Sequence, residues 1–353
     1  MDCRERILVA MDGGEPDRVP CALSFYHVDL DTLLPPDRYP GMQALLDVNF
    51  VSFPLSPEEK KLEHAAGPYN PDTRLGTTAQ LSTYARWNYH PETPERSSPL
   101  AGAQSLDDLQ RFPFPDISTP YLSDELARQV RALHERGMAA GGNLPHLGGE
   151  LFEAAWRLRG LESFLLDLLR RPDWADYLLD RLAGLARRNA EALAHAGVDV
   201  LALDDDVGMP GTMIVGPEMW RRYFKAHLAG IIEAARVIKH DLRVLFHSDG
   251  TILPILDDLM EIGVSTINPL QPEHMDAASI RRRYGTRLAL WGAVGYQTTF
   301  SFETPEQIRL HVAECVATLG RAGLVLCPAY DIDEPDIPAA NVVAFLEAVH
   351  RYG

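Results

Sequence analysis

Residues 245–250 read Leu-Phe-His-Ser-Asp-Gly, so His247 and Asp249 stand two apart where an apolar run stops. Imidazole and carboxylate groups placed this way serve as metal ligands or as proton carriers. Similar groups recur where other apolar runs end. Tyr26, His27 and Asp29 follow the first run, and Asn143, His146, Glu150 and Glu153 follow the third. Asp204, Asp205 and Asp206 end the fourth, and Asn268 and Gln271 follow the sixth. Trp291 and Gln297 belong to the seventh, and Cys327, Tyr330 and Asp331 to the eighth. Each has a bland explanation when taken alone: aspartates cap helices, and Asp249 before Gly250 suits a tight turn. Gathered at one place they point to chemistry, because burying unmatched carboxylates and imidazoles costs free energy that a purely structural role does not offset.

What would gather them is a regular alternation of strand and helix. The run PCALSFY reads as a first buried strand and VNFVSFPL as a second. Residues 73–96, rich in threonine and aromatics, read as a hairpin excursion. From residue 121 onward helices alternate with the short apolar runs GMAAGGN, VDVLALDDD, DLRVLFHSDG, VSTINPLQ, TRLALWGAVG and GLVLCPAYDID. Strands this apolar belong to parallel sheets covered on both faces. No GxGxxG follows the first strand and no Walker-type GxxxxGK[ST] occurs, which disfavours a nucleotide-binding doubly wound sheet. The expected fold is α/β, a single (β/α)8 TIM barrel over residues 1–353 with a hairpin insertion near residues 73–96. In such a barrel these polar strand ends share one mouth.

Composition narrows the partners. Acidic residues outnumber basic ones by 50 to 33, for a formal charge of −17. That field repels phosphate backbones and acidic lipid surfaces, so neither nucleic acid nor membrane is an expected partner. The four cysteines, Cys3, Cys21, Cys315 and Cys327, show no paired spacing, so free thiols in a cytoplasmic protein are expected. The charged amino-terminal stretch lacks the apolar core of a signal peptide, and no apolar run is long enough to span a bilayer.

Several stretches resemble the uroporphyrinogen decarboxylase superfamily, which includes zinc-dependent methyltransferases acting on methyl-corrinoid proteins. They are RERILVAMDGGEPDRVP, LFEAAWRLRGLESFLLDLL, LDDDVGMPGTMIVGPEMWRRYF, VLFHSDGTILPILDDLMEIGVSTINPLQPEHMD, LALWGAVGYQTTFSFETPEQI and CPAYDIDEPDIPAANVVAF. The resemblance implies a (β/α)8 barrel and an enzyme. In the decarboxylase branch an arginine-rich loop after the first strand grips propionates; here SFYHVDLDTLLPPDRYPG has no arginine before Arg38. In the methyltransferase branch an HxC pair after the fifth strand and a late cysteine bind zinc. This chain keeps His247, has Asp249 at the cysteine position, and carries Tyr330 where the last cysteine would align, with Cys327 three residues earlier.

The expected activity is therefore metal-dependent methyl transfer from a corrinoid carried by a partner protein to a small nucleophile. Decarboxylation of a porphyrinogen-like carboxylate is the alternative, and a non-catalytic small-molecule or corrinoid-binding protein is the second. Expected metal ligands are His247 and Asp249, with Glu150, Asp206 or Cys327 completing a divalent site, zinc in the first instance. Asp206, Asp249 and Tyr330 are the expected catalytic residues, and His27, Glu153, Gln271 and Trp291 line the substrate. A homodimer is left open.

Overall fold

In the computed structural model, which describes residues 1–53, 98–112, 114, 121–144, 148–295, 299–329 and 337–353, seven of the apolar runs form one parallel sheet. The first three strands are β1 (Val48–Val51), β2 (Ala139–Asn143) and β3 (Val200–Asp204). A small antiparallel hairpin, β4 (Gly208–Met209) and β5 (Thr212–Met213), follows β3. The large sheet then resumes with β6 (Arg243–His247), β7 (Thr266–Leu270), β8 (Ala289–Val294) and β9 (Leu324–Pro328). Its spatial order is β1-β2-β3-β6-β7-β8-β9, so each strand lies beside the next one in sequence. β2, β3, β7, β8 and β9 are buried along their whole length, as parallel strands sandwiched by other elements must be.

The run expected to form the first strand behaves differently. Within Pro20–Tyr26 the only ladder element is a single parallel bridge between Cys21 and Leu326. Leu326 N–H donates to Pro20 O and Ala22 N–H to Leu326 O, both at 3.0 Å, while Asp47 N–H donates to Cys21 O at 3.0 Å. The segment thus touches β9 on one side and the approach to β1 on the other. Pro20 has no N–H to extend the ladder, and the Ser24 hydroxyl takes the Tyr26 N–H in a local turn, so pairing stops after one bridge. The expected hairpin at 73–96 lies outside the described residues.

The helices between these strands break where the backbone demands. Gly160, at φ +86°, separates the helix Phe152–Arg159 from Leu161–Arg170. After residue 217 two helices follow, Pro217–Tyr223 and Lys225–Ile238, divided at Phe224. Thr304 and Gln307 form a reciprocal capping box at the start of Pro305–Leu319. Among the described residues no helix is long and apolar enough to cross a membrane.

Acidic groups before the strands are matched by fixed partners. Asp47, ahead of β1, is fully buried and accepts from Arg6, Arg18 and the Cys21 N–H. Asp199, ahead of β3, takes a two-pronged contact from Arg4, the Ala140 N–H and the His134 ring. The carboxylates after the strands are arranged otherwise.

Candidate metal centre

β3 and β6 are register partners, with Asp204 opposite His247. Paired residues of neighbouring parallel strands point to the same face, and alternation returns Asp206 toward that face beyond the strand. The result is a group of three: Asp204, Asp206 and His247 bring one donor atom each within 4.8 Å of one another. His247 Nε2 lies 3.9 Å from Asp204 Oδ1 and 3.8 Å from Asp206 Oδ1. Two donors held at about 2.05 Å by a tetrahedral zinc are about 3.3 Å apart, so the two separations between His247 and the carboxylates would each contract by about half an ångström around an ion. Oxygen and imidazole nitrogen are donors that divalent ions accept. Among the described residues this is the one such group. The Asp204 and His247 side chains are 6% and 11% exposed and Asp206 is 35% exposed, so the group opens to solvent on the Asp206 side.

Neighbouring residues hold each member. His247 is clamped at its other nitrogen, Nδ1, by Asn268 Oδ1 at 2.6 Å, and the Phe25 ring stacks on the imidazole at 3.8 Å and 18°. Asn268 Nδ2 in turn donates to the Trp291 carbonyl at 3.4 Å. Asp206 Oδ1 accepts the Asp249 N–H at 2.6 Å. Asp204 is zipped to the segment before helix Phe152–Arg159: its N–H donates to Glu150 Oε2 at 2.7 Å and its carbonyl accepts from Glu150 N–H at 2.8 Å.

Asp205, pointing away, accepts the Phe152 and Glu153 N–H groups at 2.9 and 3.0 Å and so caps that helix. Burial pushes its carboxyl up to about 7, against the pull of those N–H groups, and the negative charge of Asp206 adds to the rise.

The turn after β6 is locked from both sides. Ser248 Oγ accepts from the Val207 and Gly208 N–H groups at 3.0 and 3.3 Å. Gln271 Oε1 accepts the Gly250 N–H at 2.7 Å, and its Nε2 donates to Asp249 Oδ1 at 2.8 Å. Gly250 has φ +73°, and a Cβ there would lie 2.5 Å from Met209 N. A Cβ on Gly208 would collide with the Asp249 carbonyl, so the β4 hairpin can lie on this turn only with glycine at both places.

Of the residues singled out from sequence, His247 and Asp206 are in the three-residue group, and Asp249 adjoins it through its backbone. Glu150 stands behind Asp204 rather than within the group. Cys327 is buried on β9 opposite Ala293, close enough to Cys21 to raise that thiol further above the level set by burial. Glu153 is buried near the helix start with Oε1 3.4 Å from Arg157 Nη2, and Gln271 braces Asp249. Trp291 is fully buried against Phe50, centroids 6.2 Å apart, and His27 is exposed with Nδ1 2.8 Å from the Phe50 carbonyl. Tyr330, His146, Gln297 and Asp331 lie outside the described residues. Residue types alone do not single out Asp204, nor the clamp formed by Asn268 and Phe25. The alternation within Asp204-Asp205-Asp206 is the available signal for Asp204, but its pairing with His247 depends on strand register.

Comparison with known proteins agrees with this architecture. The family pattern described as uroporphyrinogen decarboxylase (URO-D) matches residues 104–352. A methylcobamide:CoM methyltransferase, MtaA, of Methanosarcina barkeri is 23% identical over 360 residues, covering 99% of this chain and 98% of its own length. A uroporphyrinogen decarboxylase of Coxiella burnetii is 27% identical over 274 residues, covering 73% of this chain and 70% of its own. The solved structure of a methyltransferase from Methanosarcina mazei superposes with a TM-score of 0.65 at 21% identity, covering 100% and 99% of the two chains. That likeness shows a shared fold.

Proposed function

The chain belongs to the uroporphyrinogen decarboxylase family of enzymes, and within that family we propose that it is a metal-dependent methyl-transfer enzyme. The methyl donor is a corrinoid carried by a partner protein and the acceptor is a small nucleophile. The observation that carries this reading is the convergence of Asp204, Asp206 and His247 at the ends of β3 and β6. An ion bound there, zinc or a harder divalent metal, supplies Lewis acidity that lowers the pKa of a bound nucleophile. His247 and Asp204 form the buried side of its seat, and Asp206 forms the open side from which substrate enters. Asp249, braced by Gln271, stands at that rim as a carboxylate able to accept a proton. The near end-to-end likeness to a methylcobamide:CoM methyltransferase supports the donor class.

In the same reading the barrel is closed, with Pro20–Ala22 in the place of its eighth strand. The bonds from this segment to Leu326 and Asp47 support that closure. The mouth then lies over the strand ends that carry the three ligands.

The test uses the full chain loaded with zinc and free methylcobalamin as donor, scanning small thiols and hydroxyl compounds as acceptors. Zinc-dependent demethylation of the cobalamin, lost in His247→Ala and Asp206→Ala, is expected. Demethylation that survives both substitutions would remove the site from the reaction. A second reading, decarboxylation of a small carboxylate substrate, is favoured by the decarboxylase relatives and by Asp206 and Asp249 sharing one rim. Metal-independent turnover of uroporphyrinogen would decide for it.

A further inference from the structure

A histidine ligand is useful to an ion only if the nitrogen facing the ion is free of a proton. His247 has two opposed influences on where its proton sits. Its Nε2 faces the Asp204 and Asp206 carboxylates at 3.9 and 3.8 Å, and two negative charges draw a proton to that nitrogen. Its Nδ1 faces Asn268 at 2.6 Å.

The orientation of Asn268 settles what it asks of the ring. A backbone carbonyl only accepts, so the group of Asn268 directed at the Trp291 carbonyl is its NH2, and the group directed at His247 is its oxygen. That oxygen only accepts, so Nδ1 must be the donor. A neutral imidazole carries one N–H, which leaves the Nε2 lone pair aimed between the two carboxylates. Phe25, stacked face to face with the ring, holds its plane while Asn268 holds its proton. Asn268 is also uncharged, so it orients the ring without adding a third negative charge beneath the pair. At 3% exposure it is shielded from water that could replace it.

We propose that Asn268 is the positioning residue of this site: it keeps the His247 proton on Nδ1 and so presents Nε2 to a cation held with Asp204 and Asp206. The cation belongs to the metal reading above; the tautomer does not depend on it. Loss of such an outer partner typically weakens metal binding about 10- to 100-fold.

The experiment uses full-length protein labelled with 15N-histidine, as wild type, Asn268→Leu and Asn268→Asp. Two quantities are read: the His247 nitrogen shifts of the metal-free protein above the imidazole titration, and zinc affinity by chelator competition. In wild type Nδ1 reads as protonated and Nε2 as bare. In Asn268→Leu the proton moves to Nε2 and zinc binding weakens about 10- to 100-fold. Asn268→Asp, which keeps an acceptor facing Nδ1, restores the wild-type tautomer and affinity to within about tenfold. A merely structural role would leave the tautomer unmoved in any folded variant.

Wild-type nitrogen shifts in Asn268→Leu overturn the proposal, as does an Nε2-protonated wild type. Absence of zinc binding by the wild type overturns the metal reading instead, and a move of the proton to Nε2 on Asn268→Leu still upholds the role of Asn268.

Discussion

Gly250 offers a quantitative test of how the turn after β6 is built. Substitution by alanine imposes two separable costs. The first is conformational: a side chain at φ +73° sits in the left-handed region, which costs roughly 1–2 kcal/mol. The second is steric: the new Cβ lies 2.5 Å from Met209 N and 2.7 Å from the Gly208 carbonyl carbon, both backbone atoms that yield only if the β4 hairpin shifts. Forced overpacking of that kind adds about 1–3 kcal/mol. Gly211, at the tip of the same hairpin, has φ +77°, and a Cβ there would meet nothing within 4 Å, so Gly211→Ala carries the first cost alone.

Urea denaturation of both variants should place Gly250→Ala about 2–5 kcal/mol and Gly211→Ala about 1–2 kcal/mol below wild type. Zinc affinity should fall only for Gly250→Ala, because its turn carries the Asp249 N–H that holds Asp206. Equal destabilisation by the two substitutions would refute the claim that the hairpin is seated on this turn.

Two further outcomes are expected. Asp199→Ala should destabilise the protein by about 3 kcal/mol, the low end for breaking a buried ion pair because Arg4 is partly exposed. Although burial pulls the other way, Arg4, the Ala140 N–H and His134 together hold the Asp199 carboxyl below its usual range. Its stabilisation is therefore present above the unfolded carboxylate pKa near 4 and is lost as pH falls further; urea midpoints for wild type and variant should converge toward acid. Cys315 donates to the Ala293 carbonyl, and burial, with help from the Glu314 charge, pushes its thiol up to about 11. At pH 8 its alkylation should be about a hundredfold slower than in urea-unfolded chain, as read by mass spectrometry of the labelled peptide. Comparable rates would contradict the raised thiol.

The second half of the fold is legible because its strands are short, mostly apolar runs separated by well-spaced helices. Asp204 to His247 thus come at strand ends by pattern alone. The first strand is not legible in that way. PCALSFY is as apolar as the others, but Pro20 cannot extend a ladder and Ser24 offers the backbone a competing turn, so one bridge forms where a strand is expected.

At the site, His247 and Asp206 are recognisable by chemistry and position. Asp204 is harder to single out, since three consecutive aspartates look equivalent until alternation sends Asp205 to cap the helix at Phe152 and leaves its neighbours facing His247. Glu150 reads as a ligand from its type, and one of its oxygens, Oε2, accepts the Asp204 N–H. The partnership of Asn268 with His247 joins two strands, and no local pattern encodes which residues of β6 and β7 face each other.

The metal-dependent reading of the mouth turns on whether Asp204, Asp206 and His247 hold a divalent ion. A crystal of the full chain soaked in zinc, with anomalous data collected across the zinc edge, tests this most directly. One strong peak is expected, bonded to His247 Nε2 and to a carboxylate oxygen of each aspartate, and absent from His247→Ala crystals. A peak held by other residues, or none in the mouth of the wild type, would contradict it.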